Sequence, residues 1–233
     1  MATSIELHAA QAGILRELLF APELPFSKLH TGNLTSDHLN FHVKRLLELG
    51  LIAKTDSGAY ALTVAGKEFA NRLDTDTALI DRQAKVAAVL AITRDGDKGL
   101  EHLVQKRLKQ PYFGFHGRPT GKIRWGETIE EGASRELMEE TGLRGRAKIL
   151  GTIHKMDYSP DGSLLEDKYF FAVHFHNPEG ELVSKFEGGE NFWMTREGIE
   201  GLPDRFDGWE TTFTMLEGKE QGVVEQKFTV ERY

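Results

Sequence analysis

Apolar residues recur at helical spacing in the first third of the chain and at strand-like spacing through most of the rest. In LHAAQAGILRELLF (7–20), Ile14, Leu15, Leu18 and Leu19 share one face of a predicted helix, which Pro22 and Pro25 stop. A short segment, PFSKLHTGN, follows with Phe26 and Leu29 three apart. TSDHLNFHVKRLLELG then predicts a second long helix, with Thr35 or Ser36 as N-cap and Gly50 as C-cap. Leu39, Val43, Leu46 and Leu47 form its expected buried stripe, while Asp37, His38, Asn40, Phe41, Lys44 and Arg45 turn to other faces. LIAKT, the turn DSG and AYALT read as a hairpin, and VAGKEFANRL as a closing helix.

The texture changes at DTDTALIDRQA (74–84), a plausible linker, which gives domains over 1–80 and 84–233. Beyond it, AKVAAVLAITRDGDKGLEHLVQKRL predicts a strand, a turn at Asp95 to Gly99 and a second strand. Thr128 can cap a helix from about Ile129 to Glu140 that Gly142 ends, with Ile129, Ala133 and Leu137 as its core stripe. From Gly201 onwards, PDRFDGWETTFTMLEG predicts a final helix with Trp209 and Phe213 on one face.

Composition narrows the class. The 233 residues are enough for one to two domains, and 39% hydrophobic with 28% charged residues excludes fibrous and mostly disordered chains. Zero Cys excludes disulfides, thiolate zinc sites and a cysteine nucleophile. Apolar runs such as VAAVLAI (86–92) are far shorter than the roughly 20 residues a bilayer demands, and Glu6 and His8 stand where a signal peptide is basic and then apolar, so a cytoplasmic protein is expected. The net charge is -7, and residues 1–84 carry 8 Lys/Arg against 10 Asp/Glu, so neither part has a broad nucleic-acid-coating surface.

The chemistry concentrates between Gly121 and Leu143. At about 100° per residue, Glu136, Glu139 and Glu140 project from neighbouring sectors of one helical turn, where three carboxylates repel unless cations neutralise them. Hard oxygen ligands suit Mg²⁺ or Mn²⁺, which commonly bridge to substrate phosphates. Arg135, four before Glu139, can pair with Glu127 or a ligand carboxylate and hold orientation. Gly132 removes a side chain one turn before Glu136 and is expected to leave room for a phosphate, and Gly121 and Gly126 mark places of close approach or unusual dihedrals.

This segment matches the Nudix box, G-x5-E-x7-R-E-U-x-E-E-x-G-U with U aliphatic, at Gly121, Glu127, Arg135, Glu136, Leu137, Glu139, Glu140, Gly142 and Leu143. A chance match in a chain of this length is on the order of 10⁻⁷. The resemblance implies a Nudix α/β/α sandwich with a mixed sheet over 84–233. It also implies divalent-cation-dependent hydrolysis of a nucleoside diphosphate linked to another moiety. Glu136, Glu139 and Glu140 would hold the metal, Glu139 or a later glutamate would activate water, and Arg135 with Glu127 would orient the carboxylates. Relatives often carry a further acidic residue before a Trp-containing strand; EGGENFWM offers Glu187 and Glu190, and Glu190 is preferred. One departure is Thr120-Gly121 at the box entry, where many relatives have Gly-Gly.

Substrate contacts are expected from Phe113, Phe115 and Trp125 for a base or ribose and from Lys106 and Arg107 for phosphate, against the plainer reading of the aromatics as core. His116, His154, His174 and His176 lack a carboxylate pattern that would mark metal ligands. Three helices, a hairpin and another helix in residues 1–80 resemble a winged helix-turn-helix domain. That resemblance implies His38, Asn40, Lys44 and Arg45 at a DNA groove or phosphate and Lys54 on the wing; a scaffold or dimerisation module is the alternative. The whole chain then reads as a Nudix pyrophosphohydrolase, or alternatively as a nucleotide-sensing transcriptional regulator. A homodimer is expected by analogy with both families.

Overall fold

The structure is a computed structural model that describes residues 7–29, 34–77, 79–80, 82–97 and 99–233. It divides into two compact units, residues 1–82 and 83–233. Glu6, His30 to Asn33 in the segment after the first helix, Ala78 and Asp81 in the expected linker, and Lys98 in the expected turn lie outside the described residues.

The first unit runs α1 (Ala9–Leu19), a single 3₁₀ turn (Phe26–Lys28), α2 (Ser36–Glu48), β1 (Ile52–Lys54), β2 (Tyr60–Leu62) and α3 (Val64–Ala70). The second of the three expected helices is therefore, among the described residues, only that turn, seated by the buried Leu29. α1 begins with a capping box in which the His8 ring accepts from Ala10 N–H and Gln11 reaches back to His8 N–H. Ile14, Leu15, Leu18, Leu39, Val43, Leu46 and Phe69 close one core. Leu47 departs from the expected stripe: it lies about 100° past Leu46 and is exposed, and His42 takes the inward position, stacked on His8 at 4.6 Å. The segment from Asp74 folds back as well. Asp74 accepts from Thr77 N–H at 2.7 Å, Thr75 O accepts from Arg16, and Leu73 bridges to Ile80.

The second unit is built on β3 (Lys85–Gly96), β4 (Gly99–Arg107), β5 (His116–Gly117), β6 (Thr120–Lys122), α4 (Ile129–Thr141), β7 (Lys148–Tyr158), β8 (Leu164–His176), β9 (Lys185–Phe186), β10 (Gly189–Thr195), α5 (Arg196–Glu200), α6 (Trp209–Leu216) and β11 (Gly222–Thr229). The nine-stranded mixed sheet has the order β11-β7-β8-β3-β4-β10-β9, with β5 on β4 and β6 on β3. β3 pairs with β4 only over residues 93–96 and with β6 over 87–89, so the two long strands part company and the short pair β5 and β6 enters between them.

Alternation along the strands builds the two faces. Ala88, Leu90, Ile92, Val173 and Phe175 meet Ala133 and Leu137 of α4, while Val104, Phe192 and Met194 meet Ile199, Trp209 and Phe213 of α5 and α6. The result is an α/β/α sandwich. The helix at 209–216 is not the last element: β11 follows and pairs in parallel with β7. Its alternation of half-buried Val224, Gln226 and Phe228 with exposed residues is a strand pattern that a glutamine interrupts. Among the described residues no helix is long and apolar enough to cross a membrane.

Candidate functional site

α4 is set in place before any function is considered. Thr128 Oγ1 accepts from Glu131 N–H while the Glu131 side chain accepts from Thr128 N–H at 2.8 Å, a full capping box. At the other end Gly142 takes the left-handed conformation, φ 73°. Leu137 and Ala133 are fully buried, and burying a leucine stabilises by about 1.5 to 3 kcal/mol, which fixes the rotation of the helix and hence the direction of its polar face.

On that face Arg135 is the organising group. Its Nε and Nη2 donate to the two carboxylate oxygens of Glu127 at 2.6 and 2.8 Å, Nη2 also donates to Lys122 O at 2.9 Å, and Nη1 donates to Glu136 at 2.6 Å and Glu139 at 3.0 Å. All five N–H groups of the guanidinium are thus engaged. The hydrogen bonds from Arg135, joined by the Arg124 N–H, hold Glu127 down at about 2, and the Glu127 bonds in turn push Arg135 upwards. Arg124 adds a two-oxygen contact to Glu139 at 3.1 and 3.2 Å.

Glu140 is held differently. Its carboxylate accepts from Gln105 Nε2 at 3.1 Å, whose other N–H goes to Asn191 Oδ1, and Asn191 Nδ2 returns to Glu140 O at 2.7 Å. Burial, only partly offset by the Gln105 bond and reinforced by the charge of Glu136, raises the Glu140 carboxyl above its ordinary value. A carboxylate so destabilised is one that a cation would relieve, and a donor set of three carboxylates fits a hard divalent ion. Among the described residues no three His, Asp or Glu side chains converge on a common point, because Glu136 and Glu139 are turned towards arginines.

The two glycines have distinct reasons. A Cβ on Gly121 would fall inside the Glu136 carboxyl group, so this backbone must be bare for Glu136 to reach across it. At Gly132 a Cβ would meet Ile123 Cδ1 at 2.7 Å and Glu127 Oε2 at 3.0 Å. The room it leaves is filled by the protein's own side chains, which corrects the expectation of a phosphate there.

The carboxylates Glu136 and Glu140 open into a cavity of about 630 Å³ on the α6 side of the sheet. Arg107, Lys109 and Lys122 line it close to the box, and Val89, Ile153 and Phe170 line its apolar floor. Arg107 also holds its own loop, donating to Pro111 O at 2.6 Å and Gln110 O at 3.2 Å. Several expected contacts are not brought to this cavity. Trp125 is 95% exposed and Phe113 53% exposed, with no wall around either to enclose a base. Phe115 packs on Tyr112 and Phe206. Glu190 is a correction. In the antiparallel register it stands opposite Lys106, while Asn191, opposite Gln105, faces Glu140; Glu190 is turned away from Asn191, is bonded to Lys185 at 2.7 Å and is not among the residues that line the cavity. Glu187 is exposed.

Sequence reading missed Gln105, Asn191, Arg118, Asp157, Glu166 and Gln226. Asp157 accepts from Tyr112 and Lys155, and Glu166 from Lys85 at 2.8 Å, all on the cavity wall. Their signal was a polar residue at an inward strand position, legible only once register is known. In the first unit His38, Asn40, Lys44, Arg45 and Lys54 are all exposed, and Arg45 pairs with Glu48 at 3.0 Å.

Comparison with known proteins agrees with this geometry. Residues 84–215 match the profile described as NUDIX domain. The chain is 30% identical over 115 residues to an ADP-ribose pyrophosphatase of Methanocaldococcus jannaschii, which takes in 49% of this chain and 68% of that one. It is 40% identical over 68 residues to the oxidized purine nucleoside triphosphate hydrolase of Mus musculus, in a match covering 26% of this chain and only 39% of the relative. The NUDIX domain of Shewanella oneidensis NrtR, solved with ADP ribose, superposes with TM-score 0.52 at 18% identity over 68% of this chain and 100% of that domain, a likeness of fold. With the profile spanning more than half its residues, the chain belongs to the NUDIX family of pyrophosphate-bond hydrolases.

Proposed function

We propose that the second unit is a divalent-metal-dependent pyrophosphohydrolase that cleaves a nucleoside diphosphate linked to another moiety. The observation that carries this reading is the carboxylate face of α4, wired through Arg135 and opening into a cavity with Arg107, Lys109 and Lys122 at hand for phosphate. Glu136, Glu139 and Glu140 would hold Mg²⁺ or Mn²⁺. When bound, such an ion offsets pyrophosphate charge and lowers the pKa of a coordinated water.

The protein's own groups do the rest. A water oxygen attacks one phosphorus, its proton passes to a carboxylate, and the anhydride P–O bond breaks to leave two phosphate-terminated products. Glu139, about half exposed and held by Arg124 and Arg135, would take the proton. Arg135 and Glu127 keep Glu136 and Glu139 at their stations, and Gly121 gives Glu136 its path.

The test is a hydrolysis panel with Mg²⁺ or Mn²⁺ and ADP-ribose, NADH, nucleotide sugars and dinucleoside polyphosphates. Glu139→Gln is expected to lower kcat by roughly 10²- to 10⁴-fold at unchanged fold. Cleavage of none of these substrates, or an unaltered rate in Glu139→Gln, would overturn the assignment.

A second activity, contact with duplex DNA as in a winged helix that would make the chain a regulator as well, is supported by the exposed polar residues His38, Asn40, Lys44 and Arg45 around α2, with Lys54 on the hairpin. Lys44→Ala with Arg45→Ala is expected to abolish a salt-sensitive association measured by fluorescence anisotropy. No association at low salt would remove this reading.

A further inference from the structure

The cavity wall holds two polar groups that the hydrolysis does not use. Arg118, between β5 and β6, is buried beneath α6, donates from Nε to Thr212 Oγ1 at 2.8 Å, and lies 4.5 Å from the Trp209 ring centre and 5.1 Å from that of Phe213. Its Nη1 and Nη2 are buried without a hydrogen-bond partner. Burial alone pushes the guanidinium down to about 9, with no carboxylate among the described residues acting against it. Gln226 of β11 donates from Nε2 to Thr211 Oγ1 at 2.7 Å, and its Oε1 is likewise buried and unpartnered. Thr211 and Thr212 are consecutive on α6, so one turn of helix anchors an open pair of donors and an open acceptor, and Arg118 and Gln226 both line the cavity.

Such groups are costly to leave unmade. A buried polar atom without a partner loses its hydration and gains nothing in return, and an unpaired buried cation loses more. A ligand that supplies the missing partners recovers that cost on binding.

We propose that this wall is a nucleobase subsite selective for an oxopurine such as guanine, with Arg118 donating to two adjacent ring acceptors and Gln226 accepting from a ring N–H. Three considerations favour that ligand. The two free Arg118 nitrogens match a neighbouring carbonyl and ring nitrogen, which guanine has and adenine, with one acceptor beside an amino group, lacks. A phosphate or carboxylate has no donor for Gln226 Oε1, and phosphate already finds Arg107, Lys109 and Lys122 beside the box. The buried Trp209 ring, with the Arg118 guanidinium 4.5 Å over its centre, fixes the position of that donor fork at the cavity wall. The assignment rests on reading the cavity as a nucleotide site, and it adds which base is chosen.

Titration calorimetry of the full chain without metal tests it, using GMP, AMP and inorganic phosphate. GMP is expected to bind about ten- to a hundredfold tighter than AMP. Arg118→Met should erase that preference while leaving AMP within about twofold, and should melt no lower than wild type, because the unpaired cation is gone. Gln226→Leu should weaken GMP selectively and decides the matter if Arg118→Met fails to fold. Equal affinity for GMP and AMP, a preference that survives either variant, or phosphate binding that falls with Arg118→Met as far as GMP binding does, would each overturn the subsite. GMP selectivity without hydrolysis of any panel substrate would sink the catalytic reading alone, and hydrolysis without base preference would sink the subsite alone.

Discussion

Helices α2 and α4 are both thirteen residues long, and both open on a threonine cap and carry acidic residues in the first turn. Their polar faces differ in kind. On α4 Arg135, Glu139 and Glu140 are each tied to a partner outside the helix: Glu127, Lys122, Arg124, Gln105 and Asn191 all reach it. On α2 the polar side chains other than His42 stand in solvent, and the ion pair from Arg45 to Glu48 joins neighbouring turns of the same helix. A face held from outside has a fixed geometry before any ligand arrives, as chemistry demands. A face left free can adjust to a partner and contributes little to the fold.

That contrast can be broken at several points. The largest effect is expected at Gly121→Ala, whose added methyl collides with the Glu136 carboxyl: kcat should fall about a hundredfold with the melting temperature little altered, by kinetics and calorimetry together. A near-normal rate would mean that Glu136 need not cross this backbone. Next comes Arg135→Lys, where one ammonium replaces a five-donor fork. A loss of about 10- to 100-fold in kcat is expected, whereas Arg45→Lys on α2 should leave stability within about 0.5 kcal/mol.

Acid sharpens the comparison in another way. Each unit buries a histidine with an unpartnered Nδ1, His42 in the first and His102 in the second. Burial lowers both, and in His102, with Arg118 adding to it, the value reaches about 4 from an ordinary 6.5. Because the folded value is the lower one, the unfolded chain takes up its proton first; the stabilising contribution is complete above pH 6.5 and is lost as pH falls towards 4. For His102 the loss should be roughly 2 kcal/mol at pH 5, seen as a falling denaturant midpoint that His102→Asn flattens. A midpoint unchanged between pH 7 and 5 would contradict this. The smallest contrast lies at the caps. Thr128→Ala should cost about 1 kcal/mol because a reciprocal box is lost, and Thr35→Ala less, since its single bond to His38 N–H spans 3.4 Å.

Local pattern carried much of this molecule. The box helix, its Thr128 and Gly142 ends, the bond between Arg135 and Glu127, and the hairpin of the first unit all follow from spacing within a few turns of chain. What escaped depends on contacts between distant segments. Leu47 looked inward by spacing alone, but His42, paired with His8, took the inward position. Gln226 and Arg118 are 108 positions apart in sequence and share a wall only because β11 pairs with β7 and α6 packs over both. Glu190 shows the limit from the other side: proximity to Trp193 in sequence says nothing of which sheet face a side chain takes, and one step of register separates it from Asn191, which does reach the site.

The forked pairing of β3 bears on how the chain is made. Its residues 85–92 hold VAAVLAI, and their parallel partner is β8, so that Lys85 meets Glu166 across 81 positions of sequence. In the first unit the contact from Arg16 to Thr75 spans 59. At about 5 to 20 residues per second, ribosomal synthesis leaves β3 waiting roughly 4 to 16 s for β8. Throughout that interval an apolar, β-prone segment has one edge open, the condition under which nascent chains associate with one another. Yield of soluble protein should therefore depend on the rate of translation between residues 92 and 176 more than on anything in the helical unit that precedes it, which completes its contacts early.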